Sequence, residues 1–260
     1  MQATMFAEAA ATVIRHRLTR TPLDRIPGLV ALDQGYAVQA LANRALAKAL
    51  GPVVGLKIGG TAEATRKLIR VDEPVLGEVF SSTVHESGAR LPRAAFRRPG
   101  IETEIAVRLG RDLPARPQPY TREEVAAAIA TIMAAIEIVD DRYLDFKTVG
   151  GPTLAADNVY NAASVLGEEK PFDPGLALDE LAARTLVDGR EVATGTGAAL
   201  LGHPLDALLF AVEKRRRLGR GLEAGLFVSL GTMTMPQWAE GPAAFRIEVE
   251  ALGAVEVALV

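Results

Sequence analysis

Cysteine is absent from this 260-residue chain. That excludes disulfides, iron–sulfur clusters, thiolate zinc sites and a cysteine nucleophile. Histidine occurs three times, as His16, His85 and His203. These are scattered, with none of the spacing that a two-histidine metal motif requires. His203, within "LGHP", reads as a turn or capping residue. Long apolar runs are lacking, so no stretch of about 18 residues suits a transmembrane helix. Excess positive charge is lacking too: the net charge is −3 and the pI is about 5.8. No basic field therefore points to nucleic acid. The first twenty residues lack the layout of a secretion signal and read as an amphipathic helix rather than a transit peptide. A cytoplasmic protein with no membrane association is expected.

What is present is ordinary globular composition, 49% hydrophobic and 23% charged, with enough chain for a sizeable core. Apolar residues at helical spacing predict helices over 3–17 and 33–50, joined by the proline- and glycine-bearing "TRTPLDRIPG". From "VVGLKIGGT" onward, short β-branched runs separated by glycine and proline predict strands, among them "EPVLGEVF", "ETEIAVRLG" and "IEIVDD". "TREEVAAAIATIMAAI" reads as a helix, with Thr121 and Glu124 forming a capping box. Further helices are predicted over 172–183 and 203–217, and strands over the last forty residues. These elements make an α+β protein. Residues 1–50 form an N-terminal helical segment packing on the core, and residues 51–260 a single catalytic unit.

Two other motifs carry little. "GTGAALLG" has the wrong spacing for a dinucleotide fingerprint and reads as a tight turn. The basic run Lys214 to Arg217 falls in the last turn of a predicted helix, where it complements the dipole.

The acidic residues carry more. Glu102 and Glu104, in "GIETEIAV", stand two apart in a strand and share one face. Glu137 lies between Ile136 and Ile138 in a run that reads as buried, followed by Asp140 and Asp141. Buried carboxylates are costly and repel one another, so they need protonation, a basic partner or a cation. All-oxygen ligation selects a hard ion: magnesium, manganese or calcium.

With these residues in place, the chain resembles the fumarylacetoacetate hydrolase superfamily, in the branch of 2-keto-4-pentenoate hydratases and 4-oxalocrotonate decarboxylases. The motifs run in order as "GYAVQ", "VVGLKIGGT", "VDEPVLGEVF", "IETEIAVRLGRDL", "IEIVDDRYLDFK", "LAADN", "GAALLGHPLDAL" and "ALGAVEV". The resemblance implies a mixed β-roll and a homo-oligomer. It implies a Mg2+ or Mn2+ ion held by Glu102, Glu104 and Glu137, with Lys57 of "KIG" lining the active site. Val75 stands where hydratases of this branch have an aspartate. "DDRYLDFK", with Lys147, is closer to the decarboxylase version. "SLGTMT" leaves Thr232 and Thr234 as hydroxyls near the site.

The substrate so implied is a small unsaturated 2-oxo acid. Lys57 is expected to carry a proton or to pair with the substrate carboxylate, its pKa lowered by a nearby dication. Lys147 is a second candidate catalytic residue. Asp141 is expected to orient Arg142 or a water on the ion. Asp157 and Asn158 make either loop hydrogen bonds or substrate contacts. The expected activity is that of a 2-keto-4-pentenoate hydratase, with a 4-oxalocrotonate-type decarboxylase as the alternative. A further alternative is an inactive subunit assembled with a partner enzyme of the same pathway.

Overall fold

The computed structural model describes residues 2–260. Two helices open the chain, α1 (Gln2–Thr19) and α2 (Leu32–Leu50). The side chain of Gln34 accepts from the amides of Val30 and Ala31 at 2.8 and 3.2 Å, closing the start of α2. Then come β1 (Val53–Gly59), α3 (Glu63–Ile69), β2 (Val75–Phe80), β3 (Val84–Glu86), β4 (Ala89–Leu91) and β5 (Pro99–Leu109). The short α4 (Arg122–Ala126) leads into β6 (Ile129–Asp140), followed by α5 (Gly151–Ala156), β7 (Asn161–Leu166) and β8 (Lys170–Pro171). The last third holds β9 (Ala182–Val187), β10 (Arg190–Thr196), α6 (Pro204–Arg217), β11 (Phe227–Thr232), β12 (Gln237–Trp238), β13 (Ala243–Val249) and β14 (Gly253–Leu259).

Two predicted helices need correction. The Thr121 capping box forms as expected, its hydroxyl accepting from Glu124 N and its own amide donating to Glu124 Oε2. The helix nevertheless stops at Ala126, and residues 129–140 are a central strand. The segment carries β-branched residues at Ile129, Thr131, Ile132, Ile136 and Ile138, and it pairs with β5 on one side and β7 on the other. Its alanines allow close packing of that strand, so tertiary pairing overrides their helical preference. Residues 172–181 are turns rather than helix. Pro174 cannot donate, and the Asp173 carboxylate takes the amide of Gly175 at 2.8 Å in a local turn. In contrast, α6 forms as read, with His203 as its N-cap accepting from Leu205 N at 3.0 Å.

The strands form a nine-stranded sheet, ordered β2-β1-β11-β5-β6-β7-β3 with β12 and β8 at its margins, and a five-stranded sheet, β10-β9-β13-β14-β4. Alternation gives the larger sheet two different faces. Ile101, Ile105, Ile136 and Ile138 belong to the main core shared with Ile247 and Val255 of the smaller sheet. Thr103 bonds to Thr185 across the two sheets at 2.6 Å. The residues between them point to the opposite face, and the functional groups gather there. Helix α2 packs on α5 and β2. Among the described residues, no helix is long and apolar enough to cross a membrane.

Candidate metal centre and active site

Register explains how like charges come together. Glu102 of β5 lies directly opposite Glu137 of β6, and directly opposed residues share a face. Glu104, two residues on, joins them. Ser229 of β11 pairs with Ala106, and Lys57 of β1 pairs with Ser229, so both lie on the same face. Ligand oxygens of Glu102, Glu104 and Glu137 all lie within 4.8 Å of one another.

Glu104 and Glu137 are fully buried, and Lys57 is 2% exposed. Lys57 Nζ stands 3.1 Å from Glu137 Oε2. Ser229 donates its hydroxyl to Glu104 Oε2, and Asn161 donates Nδ2 to Glu137 Oε1 at 3.0 Å. Glu104 Oε1 and Glu137 Oε2 have no hydrogen-bond partner of good geometry. Three carboxylates against one ammonium make a formal charge of −2, and each offers an oxygen within 4.8 Å of the other two. The donor set fits a hard divalent cation.

Electrostatics agree. Burial is the main cause that pushes the Glu102 carboxyl up to about 7, with the Glu137 charge adding to it and Lys57 opposing. Burial likewise holds Glu104 well above the usual carboxylate range, reinforced by Glu137 and Glu102. For Lys57, burial acts to lower the ammonium, but Glu137, Glu102 and Glu104 together outweigh it and raise it. A dication among the glutamates would act in the opposite sense, as the sequence reading assumed.

A pH prediction follows from these directions. A carboxyl raised on folding contributes stability that is complete below its unfolded value near 4.5 and is lost as pH rises through its folded value. Lys57, already above 10.5, stays charged throughout that window. The melting temperature of chelator-treated protein should therefore fall between pH 5.5 and 8, and added magnesium should restore more of it at pH 8 than at pH 5.5. Scanning calorimetry at both pH values, with and without magnesium, measures this; a magnesium effect independent of pH would contradict it.

A cavity of ≈ 190 Å³ opens over the cluster. Lys57, Glu102 and Thr232 line it, and Ile69, Val139, Phe146, Val159, Met235 and Trp238 form apolar walls. At its edge Arg98 pairs with Asp141 at 3.3 Å and lies over the Trp238 ring, 4.9 Å from the centroid.

Not every residue chosen from the sequence reaches this place. Lys147 is exposed; its amide donates to Asp145 Oδ1 in a turn at 3.0 Å, and neighbouring Phe146 lines the cavity instead. Asp141 reaches the cavity but pairs with Arg98, because its amide bonds to Arg98 O and holds the two chains side by side. Arg142 turns away to Asp157, at 2.9 Å. Asp157 is buried, held by Arg17, Arg142 and Tyr143. Asn158 exchanges amide hydrogen bonds with Asn43 and accepts from Glu78 N. Neither lines the cavity. Thr232 does, while Thr234 is buried against Thr185 and Met235. Asn161, Ser229, Arg98 and Trp238 were not singled out from the sequence. A lone serine inside the apolar "FVSLGT" was the available signal for Ser229.

Asn158, Val159 and Tyr160 are consecutive non-glycine residues at positive φ, +55°, +49° and +65°. Such conformations cost about 1–3 kcal/mol each and persist only where surroundings enforce them. Here the enforcement is close packing: a Cβ on Gly77 would come within 2.6 Å of Asn158 O.

Fold and acidic cluster together define a β-rich protein built around a buried carboxylate cluster whose donor set fits a hard dication. The chain belongs to the fumarylacetoacetate hydrolase family: the model described as fumarylacetoacetate (FAA) hydrolase C-terminal matches residues 58–260. It is 36% identical over 239 residues to a 2-keto-4-pentenoate hydratase of Burkholderia vietnamiensis (strain G4 / LMG 22486), covering 91% of this chain and 89% of that one. It is 33% identical over 202 residues to a 4-oxalocrotonate decarboxylase of a Pseudomonas species, covering 78% and 77%. The solved 4-oxalocrotonate decarboxylase of Pseudomonas putida G7, complexed with magnesium and adipate, superposes with a TM-score of 0.91 at 24% identity, over 100% of this chain and 99% of that one.

Proposed function

We propose that this protein is a divalent-metal-dependent lyase acting on a small unsaturated 2-oxo acid, a 2-keto-4-pentenoate hydratase. One observation carries the reading: three carboxylates, each with an oxygen within 4.8 Å of the others, cluster beside Lys57 against an apolar-walled cavity that Lys57 and Glu102 line. The hydratase and decarboxylase relatives support it.

Glu102, Glu104 and Glu137 would hold the ion, magnesium or manganese. When bound, it supplies a Lewis acid for the carboxylate and 2-oxo oxygens of the substrate. Lys57 Nζ, poised against Glu137 Oε2, carries the proton between the enol oxygen side and the carbon chain of the substrate. The conjugated 2-oxo acid is then open to water at C4. Thr232 offers a hydroxyl in the same cavity, and the apolar walls hold the tail and limit water.

The cavity favours hydration over decarboxylation. The lining residues Val139, Phe146, Met235 and Trp238 offer no charge to a distal carboxylate, and Arg98, also in the lining, is paired with Asp141. Decarboxylation is the second reading, favoured by Val75, which is fully buried and offers no carboxylate. With magnesium present, 2-hydroxypenta-2,4-dienoate should be consumed and 4-oxalocrotonate should release little carbon dioxide. Carbon dioxide release from the second without turnover of the first would reverse the order. The same reading makes the protein a cytoplasmic homo-oligomer that works beside the enzyme supplying its 2-oxo acid.

A further inference from the structure

We infer that Asn161 is a positioning residue for the metal centre, and that a β-bulge together with the N-terminal helix places it there. The inference rests on the metal reading of the three glutamates. Strand β7 runs against β6 with Glu137 opposite Ser164 and Ile138 opposite Ala163. Continued without a break, that register would set Asn161 opposite Asp140, on the face turned away from Glu137. A register shift after Ile138 sets it opposite Val139 instead. Val139 and Glu137 are two apart and share a face, so one extra residue, Ala162, moves the Asn161 amide onto the side of the acidic cluster.

Once there, Asn161 Nδ2 donates to Glu137 Oε1, and its Oδ1 is buried without a protein partner. Glu137 is thus held through Oε1 by Asn161, while Oε2 lies 3.1 Å from Lys57 Nζ. A carboxylate with fixed rotamer and plane presents its free lone pairs to one point, whereas an unheld one must be ordered by the ion itself.

The backbone of Asn161 is clamped in turn. Its amide donates to Asn158 O at 3.0 Å, closing the left-handed turn. Its carbonyl accepts from Arg17 at 3.1 Å and from Arg142 at 3.0 Å. Arg17 belongs to α1, outside the span matched by the family model. It also binds Asp157 through both the carbonyl and the carboxylate. The first helix therefore reaches the metal centre through three links: Arg17, the Asn161 backbone, and Glu137.

The test is magnesium affinity, measured by calorimetry on folded full-length protein. Asn161→Leu keeps the volume and removes the donor; its dissociation constant should rise about 10- to 100-fold, with the KM for substrate at saturating magnesium little changed. Arg17→Gln, which loosens the backbone clamp and the Asp157 contacts but leaves the Asn161 side chain in place, should give a smaller rise in the same direction, and Arg17→Lys should recover part of it. A role confined to folding would lower the melting temperature of these variants and leave magnesium affinity alone. Affinity within twofold of the unaltered protein in both Asn161→Leu and Arg17→Gln overturns the inference. Should Asn161→Leu not fold, Arg17→Gln alone decides in the same way. Failure of the unaltered protein to bind magnesium would instead overturn the metal reading, and this inference with it.

Discussion

Replacing Glu137 with glutamine should abolish both metal uptake and turnover. The substitution keeps the shape and leaves an oxygen to accept from Asn161, but it removes the charge that faces Lys57 and that a bound ion would share. Loss of an outer partner of a ligand already costs about 10- to 100-fold in affinity, so loss of the ligand charge should exceed about 100-fold. Unfolding will not account for this. Lys57 still faces Glu102 and Glu104, and one fewer carboxylate in a crowded buried cluster relieves repulsion. Chelator-treated Glu137→Gln should accordingly melt at a higher temperature than the parent at pH 8. Manganese or magnesium titration with a parallel turnover assay checks the prediction. A variant that binds the ion within a few-fold of the parent would remove the basis for the whole site.

Lys57→Met has the second largest expected effect, and its sign differs between two readouts. Methionine has a similar length and fills the same buried space without charge. Turnover should fall about 10²- to 10⁴-fold, the range ascribed to a positioned proton carrier. Magnesium binding should not weaken, because an ammonium that competes for Glu137 Oε2 has gone. The pH–rate profile should also lose whichever limb the lysine sets. Turnover within tenfold of the parent would show that another group carries the proton. A parallel loss of magnesium affinity would show that Lys57 builds the site rather than working in it.

The parts of the molecule that were legible in its sequence are those governed by local pattern. Helices α1, α2 and α6 have apolar stripes, and His203 with Pro204 marks the start of α6. The acidic trio was legible because Glu102 and Glu104 stand two apart and Glu137 interrupts an isoleucine-rich run. The helix expected over residues 121–136 failed for the opposite reason: alanine is compatible with either state, and pairing on both sides of β6 decides it. Asn161 could not be placed from pattern at all, and Thr232 was reached only through the family resemblance. Each follows a register shift, after Ile138 in one case and between Ser229 and Thr232 in the other. Gly231, at φ +106° and with Thr61 2.6 Å from where a Cβ would stand, marks the second of these. Nothing along the chain counts out which face a residue takes after a bulge. The partner of Asp141 was misplaced similarly, and none was named for Asp157, since Arg98 and Arg17 come from distant segments.

Because face follows from counting, the strand lengths at this centre are less negotiable than many of their side chains. Ala162 could be exchanged for another small residue with modest consequence, yet a one-codon loss there would turn the Asn161 amide away from Glu137 while leaving the composition nearly untouched. Insertions and deletions in β6, β7 and β11 should thus be purged more strictly than substitutions, and gaps in those strands would mark relatives that have abandoned the chemistry.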